Sequence, residues 1–181
     1  KAALAHGIPL LQPEKLKDPT FLDALRSWKA DIQVVVAFRM LPEVVWNMPP
    51  LGSVNVHASL LPKYRGAAPI NWALINGETE TGVTTFFIDE KIDTGAVIMQ
   101  SKIDINPSEN AGELHDKLMH LGSELVLETI QKIEKGNLKT TIQPQKETKT
   151  AHKLNKDNCK IDWNSTLDDI YNKVRGLHPY P

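Results

Sequence analysis

Cysteine is almost absent: Cys159 is the single example in 181 residues. That excludes an intrachain disulfide, rules out a cysteine-based zinc site built by this residue alone, and makes the cytoplasm the expected compartment. There is no excess of either charge, because 21 Lys and Arg face 22 Asp and Glu for a net charge of −1. The overall balance therefore advertises no polyanion-binding surface, and any nucleic-acid contact must be local or lie outside this sequence. No apolar run approaches the roughly 20 residues a membrane-spanning helix needs, and the opening KAALAHGIPLLQPEKL lacks the ordered parts of a signal peptide. That opening also lacks a methionine and reads as the end of a helix closed by Gly7, so a fragment is expected. Internal repeats and low-complexity tracts are missing too, which excludes solenoid architectures.

What is there is an alternation of helical and extended patterns. FLDALRSWKA (21–30) puts Phe21, Leu22, Leu25 and Trp28 on one helical stripe, and DIQVVVAF (31–38) follows as a β-branched run suited to a strand buried on both faces. LPEVVWNMPP reads as a short crossover stopped by Pro49 and Pro50, after which GSVNVHAS (52–59) returns as a strand. AAPINWALINGE carries Pro69 in a first helical turn and Gly77 at a helix end. TGVTTFFID (81–89) and GAVIMQSKIDI (95–105) are strands joined closely enough for antiparallel pairing. A long helix is expected from an N-cap at Ser108 to Gly136, with Leu114, Leu118, Leu121 and Leu125 as its apolar stripe. Residues 137–158 have weak periodicity and suit an extended arm. STLDDIYNKVRG reads as a helix capped near Ser165 and Asp168, with Gly176 beyond its last turn. Helix, strand, crossover and strand in succession imply an α/β fold with a mostly parallel sheet and flanking helices.

Side chains two apart on a strand share a face, so Asn55 and His57 project together near the carboxyl end of SVNVH. Ligands of open α/β sheets bind at that end. A lone pair of this kind reads first as a satisfied core amide and a hydrogen-bonded imidazole. Asp93, in the EKIDTG loop after the next long strand, changes the weighing, because it could meet His57 at the same sheet edge. An Asx turn before Thr94 and Gly95 fits Asp93 about equally well. If the three converge they suit acyl transfer: an amide donating to a developing oxyanion, an imidazole moving a proton, and a carboxylate supporting the imidazole. No GxSxG elbow is present and Cys159 lies in a polar tail, so direct attack by a substrate amine fits better than covalent catalysis.

The histidines do not make a metal site on their spacing. His115 and His120 are five apart, on different faces of the long helix, whereas metal-binding helices favour i and i+4. KYRG (63–66) reads evenly as an anion-positioning loop and as a charged loop lying over the sheet edge.

The stretch NVHASLLPKYRGAAPINWALINGETETGVTTFFIDEKIDTG resembles the signature region of the 10-formyltetrahydrofolate-dependent formyltransferases, with VVVAFRMLPEVV upstream and IDWNSTLDDIYNKVRGLHPYP downstream extending the likeness. The resemblance implies a Rossmann-like catalytic domain over residues 1–147 and a linker arm and helix over 148–181, leading to a second domain absent from this sequence. It assigns Asn55, His57 and Asp93 as the catalytic trio. It places Ser59, Leu60, Leu61 and Pro62 against the folate, and lines the pterin pocket with Phe38, Arg39, Met40 and Leu41 and with Ile88, Asp89, Glu90, Lys91 and Ile92. The formyl donor it implies is 10-formyltetrahydrofolate, without a metal. The acceptor it implies is the amino group of initiator methionyl-tRNA, gripped mainly by regions outside this chain, with no membrane partner. Two alternatives stay open at this point: N-formylation of an amino sugar nucleotide, and a noncatalytic folate-binding module.

Overall fold

A computed structural model of the chain describes residues 2–37, 40–136, 138–145 and 149–181. Its framework is a four-stranded sheet of β1 (Gln33–Val36), β2 (Ser53–His57), β4 (Glu80–Phe87) and β5 (Val97–Asp104), in the order β1-β2-β4-β5. β2 runs parallel to β1, β4 runs antiparallel to β2, and β5 runs antiparallel to β4. Three of the four strands thus point the same way and β4 is reversed. The hairpin between β4 and β5 is the close pairing that the short intervening loop predicts.

The longest helix, α5 (Ala111–Glu134), lies across one face of this sheet. A Cβ built on its Gly122 would be in ordinary van der Waals contact with Val56 and Val83, and Thr129 hydrogen-bonds Thr85 across the contact at 2.8 Å. Leu114, Leu118 and Leu125 are buried on the predicted stripe, and with Leu74 and Val83 they form the centre of the core. The helix starts two residues later than its sequence suggests. Asn110, not Ser108, is the N-cap, because it forms a reciprocal capping box with Glu113, four donors and acceptors that Ser108 has no partner to make.

The outer strand β1 corrects a second expectation. Its burial alternates, with Val34 40% and Val36 63% exposed, so it is not covered on both faces among the described residues. A run of three valines looks the same in the sequence whether one face or two are covered.

On the periphery, α1 (Ala2–Ala5) is a single turn, α2 (Pro19–Ser27) is capped by Asp18, and α3 (Glu43–Trp46) is the short crossover between β1 and β2. α4 (Pro69–Ile75) begins at Pro69 as predicted. α6 (Leu167–Leu177), capped by Thr166 rather than Ser165, packs on α4. Gly176 lies inside α6, not beyond it: a Cβ there would meet Ile75 Cγ1 at 2.7 Å, so the glycine permits close helix packing instead of ending the helix. The arm after α5 returns to the site region, where β6 (Thr150–Ala151) pairs in parallel with β3 (Arg65–Gly66).

Candidate active site

Strand alternation sorts the side chains of β2 and β4 onto two faces. Val56, Val83 and Thr85 meet α5, so Asn55 and His57, with their cross-strand partners Phe86 and Thr84, project from the opposite face. The loop that follows β2 folds over that face. Thr84 pins it by accepting from Leu61 N (3.1 Å) and donating to Ser59 O (2.6 Å), while Gln100 Nε2 donates to Leu61 O (2.8 Å). Ser59 Oγ closes the turn on Lys63 O at 2.7 Å.

Asp93 arrives by a route the sequence does not reveal. Because β4 is reversed, its carboxyl end lies beside the start of β2, where Ile88 N donates to Ser53 O. The 88–96 loop must therefore turn back across the sheet face to reach His57, rather than project from a shared strand end. Asp89 shapes the turn, its Oδ1 accepting from Lys91 N (3.0 Å) and Thr94 Oγ1 (2.8 Å). Gly95 then passes so close to Phe87 that a Cβ would fall 1.6 Å from the Phe87 carbonyl oxygen. Asp93 itself holds φ +54°, a left-handed conformation that Asp tolerates better than most residues.

The result is a buried pair. His57 Nδ1 lies 3.7 Å from Asp93 Oδ2, with the side chains 8% and 11% exposed. The other ring nitrogen, Nε2, is 2.8 Å from the Tyr64 carbonyl oxygen. A carbonyl only accepts, so Nε2 carries a proton and Nδ1 is the nitrogen turned to the carboxylate. Gly66 N donates to the same Asp93 oxygen at 2.8 Å, which leaves Oδ1 outside these two contacts. Asn55 is half-buried two residues before His57 on the same face.

Tyr64, whose carbonyl orients His57, is itself fixed by a polar cluster. Its hydroxyl donates to Glu78 Oε1 (2.6 Å) and accepts from Asn76 Nδ2 (3.0 Å), while Lys149 pairs with Glu78 and lies 5.7 Å over the tyrosine ring. Burial, reinforced by Glu78, pushes the Tyr64 hydroxyl up to about 12. Burial alone would raise the Glu78 carboxyl, but hydrogen bonds from Lys149 and Tyr64 outweigh it and hold the group below its ordinary value.

The remaining residues named from the resemblance fall into three sets. Phe38 and Arg39 lie outside the described residues. Ser59 and Leu61 are buried, with Leu60 and Pro62 half-buried beside them. Met40, Asp89, Glu90, Lys91 and Ile92 are exposed, and Leu41 and Ile88 half-buried. In KYRG, Lys63 is exposed, whereas the Arg65 guanidinium is bound to the Gln143 side chain and does not stand ready for an anion. Gln143 is the feature that residue patterns missed: it sits in the weakly periodic arm, yet it is buried and bonded to the Asp93 loop. Among the described residues no group of three His, Cys, Asp or Glu could hold a metal ion, and no helix is long and apolar enough to cross a membrane.

Comparison with known proteins gives this geometry a context. A methionyl-tRNA formyltransferase of Flavobacterium johnsoniae is 64% identical over 180 residues, covering 99% of this chain. The chain spans 57% of that relative's length. A crystal structure of an N-formyltransferase from Helicobacter canadensis in complex with folinic acid and dTDP-3-aminofucose is 32% identical, with a TM-score of 0.64 over 68% of this chain and 48% of that one. The sugar 3N-formyltransferase WlaRD, crystallised in the presence of dTDP and 5-N-formyl-THF, is 26% identical, with a TM-score of 0.76 over 96% of this chain and 60% of that one. A formyl transferase C-terminal domain model matches residues 153–181, and the formyl transferase model matches residues 2–130, so the chain belongs to the formyl transferase family.

Proposed function

We propose that this chain builds the centre at which a formyl group passes from 10-formyltetrahydrofolate to the α-amino group of methionyl-tRNA. The observation that carries the reading is the fold-back of Asp93 onto His57 on the face that also presents Asn55. The name of the 64% identical relative supports the acceptor, and the folate derivatives crystallised with the Helicobacter canadensis N-formyltransferase and with WlaRD support the donor.

When bound, the formyl folate supplies an electrophilic carbon. The chain's residues then have distinct tasks. The Asn55 carboxamide donates to the formyl oxygen as it gains charge, an interaction worth most in a site that excludes water. His57, held by the Tyr64 carbonyl as an Nε2–H donor, becomes an imidazolium when Nδ1 is also protonated, and Asp93 balances that charge. Oδ1 of Asp93, outside the contacts to Gly66 and His57, offers an acceptor for the proton leaving the amine. One C–N bond forms to the amine, the C–N10 bond breaks, and the departing nitrogen takes up a proton. We assign Leu60 and Pro62 of the pinned loop, and exposed Met40 and Ile92, to contact with the flat heterocycle, while Ser59 and Leu61 hold the loop from within. We assign the catalytic unit to residues 1–147 and the arm and helix to 148–181, a division in keeping with two family models that match 2–130 and 153–181 separately.

The test offers the natural full-length protein 10-formyltetrahydrofolate with either methionyl-tRNA or an amino sugar nucleotide. Formyl label appears on methionyl-tRNA, and Asn55→Ala, His57→Ala and Asp93→Ala each lose about 10²- to 10³-fold in turnover while staying folded. Label on the sugar nucleotide instead, or full turnover in all three variants, refutes the proposal.

A further inference from the structure

Gln143 sits behind the site, 6% exposed, and every polar atom of its side chain is engaged. Its Oε1 accepts from Arg65 Nη2 (2.7 Å) and Nε (3.1 Å), and its Nε2 donates to Gly95 O (2.8 Å) and Asp93 O (3.1 Å). The orientation of the amide is forced, because flipping it would set an NH2 against a guanidinium and an oxygen against two carbonyl oxygens. The backbone that carries it is fixed as well: Thr141 and Val97 exchange both hydrogen bonds at 2.8 Å, fastening the arm to the start of β5.

These contacts converge on a residue whose backbone lies in the left-handed region. Asp93 has a left-handed backbone, and it ends an excursion in which residues 89–92 are exposed. Two tethers fasten its return, and both come from β3. Gly66 N holds the carboxylate directly, while Arg65 holds Gln143, which in turn holds the Asp93 backbone.

We propose that Gln143 is a positioning residue that keeps Asp93 in register with His57, acting through the Asp93 and Gly95 carbonyls. The inference rests on the reading of Asp93 as part of the formyl-transfer centre. A glutamate at this position would satisfy Arg65 but present an oxygen to the two carbonyls.

The experiment compares Gln143→Glu and the near-isosteric Gln143→Met in the natural full-length protein, each alone and combined with Asp93→Ala. Turnover with methionyl-tRNA and 10-formyltetrahydrofolate is measured beside thermal unfolding. In the single variants kcat falls about 10- to 100-fold, as expected when a reacting group is displaced by an ångström, while KM for either substrate moves little. In the Asp93→Ala background neither substitution lowers kcat further. Wild-type kcat in a folded Gln143 variant, an equal loss with and without Asp93, or unfolding of both variants overturns the proposal. Full turnover in Asp93→Ala alone removes Asp93 from the centre, and the proposal falls with the reading beneath it.

Discussion

Gly66→Ala tests the junction between the arm and the site. Gly66 has φ +125°, and a Cβ built on it would lie 2.4 Å from the Ala151 carbonyl oxygen and 3.1 Å from its carbon, both atoms of backbone. Carbon and oxygen approach to about 3.3 Å at closest in such contacts, so roughly 0.9 Å must be found by moving β3 or β6. If β3 moves, the 2.8 Å bond from Gly66 N to Asp93 Oδ2 cannot keep its length, and a stretch of that size takes it out of hydrogen-bonding range. If β6 moves, the bonds from Ala67 N to Ala151 O and from Tyr64 N to Lys149 O are lost instead. The backbone strain is worth about 1–3 kcal/mol, and the charged hydrogen bond about 1.5–3 kcal/mol. Urea denaturation should therefore show a loss of about 2.5–6 kcal/mol, with turnover lowered by about 100-fold where the protein still folds. Gly136→Ala is the control: its φ is +66° but nothing lies within 4 Å of the added Cβ, so it should cost about 1–2 kcal/mol with turnover unchanged. If Gly66→Ala costs no more than Gly136→Ala and leaves turnover intact, the role given to this junction is wrong.

Two further perturbations address stability. Tyr64 titrates at about 12 in the folded chain against 10 in the unfolded one, so its contribution is complete below pH 10 and is lost as pH rises through 12. Two pH units correspond to about 3 kcal/mol, and the stability difference between wild type and Tyr64→Phe should narrow by up to that amount between pH 10 and 12 in chemical denaturation. A gap that stays constant across that window would show that the hydroxyl is not held as described. Leu114→Ala removes a fully buried side chain from the hydrophobic core, and should cost about 2–5 kcal/mol by urea unfolding without altering KM.

Much of the architecture was legible because its signals are local. The two-residue spacing of Asn55 and His57 placed them on one face, Pro69 marked the start of α4, and the leucine stripe of α5 identified its buried side. What escaped depends on distant partners. The valines of 34–36 carry no mark of how many faces will be covered. Gly176 reads as a helix end until α4 is seen pressed against it. Asp93 could be suspected near His57 from the strand order, but a sheet-edge meeting assumes a strand direction that β4 does not have. Gln143 gives no periodic signal, since its neighbours in the chain follow the surface and its bonds go to residues about 50 and 78 positions away.

The reversed β4 also bears on how the centre works. A loop leaving a parallel strand would deliver its carboxylate at the rim of the sheet, in water; this loop lays Asp93 over the face, where it is 11% exposed. A carboxylate so placed needs compensation, because an unpaired buried charge is costly. Gly66 N supplies one hydrogen bond and His57 Nδ1 faces the same oxygen, but at 3.7 Å that second contact is longer than a hydrogen bond. Catalytic hydrogen bonds are often long before substrate binds and tighten in the reacting complex. Shortening this one by about 0.9 Å would give a charge-assisted bond of ordinary length between imidazolium and carboxylate. On the proposed reading, the exposed residues 89–92 are where a folate would press on the loop, whereas Gly66 and Gln143 would hold its far end still. A loop pinned at the carboxylate and open at its tip can convert contact at the tip into closure at His57, and a variant that frees the pinned end should lose turnover before it loses affinity.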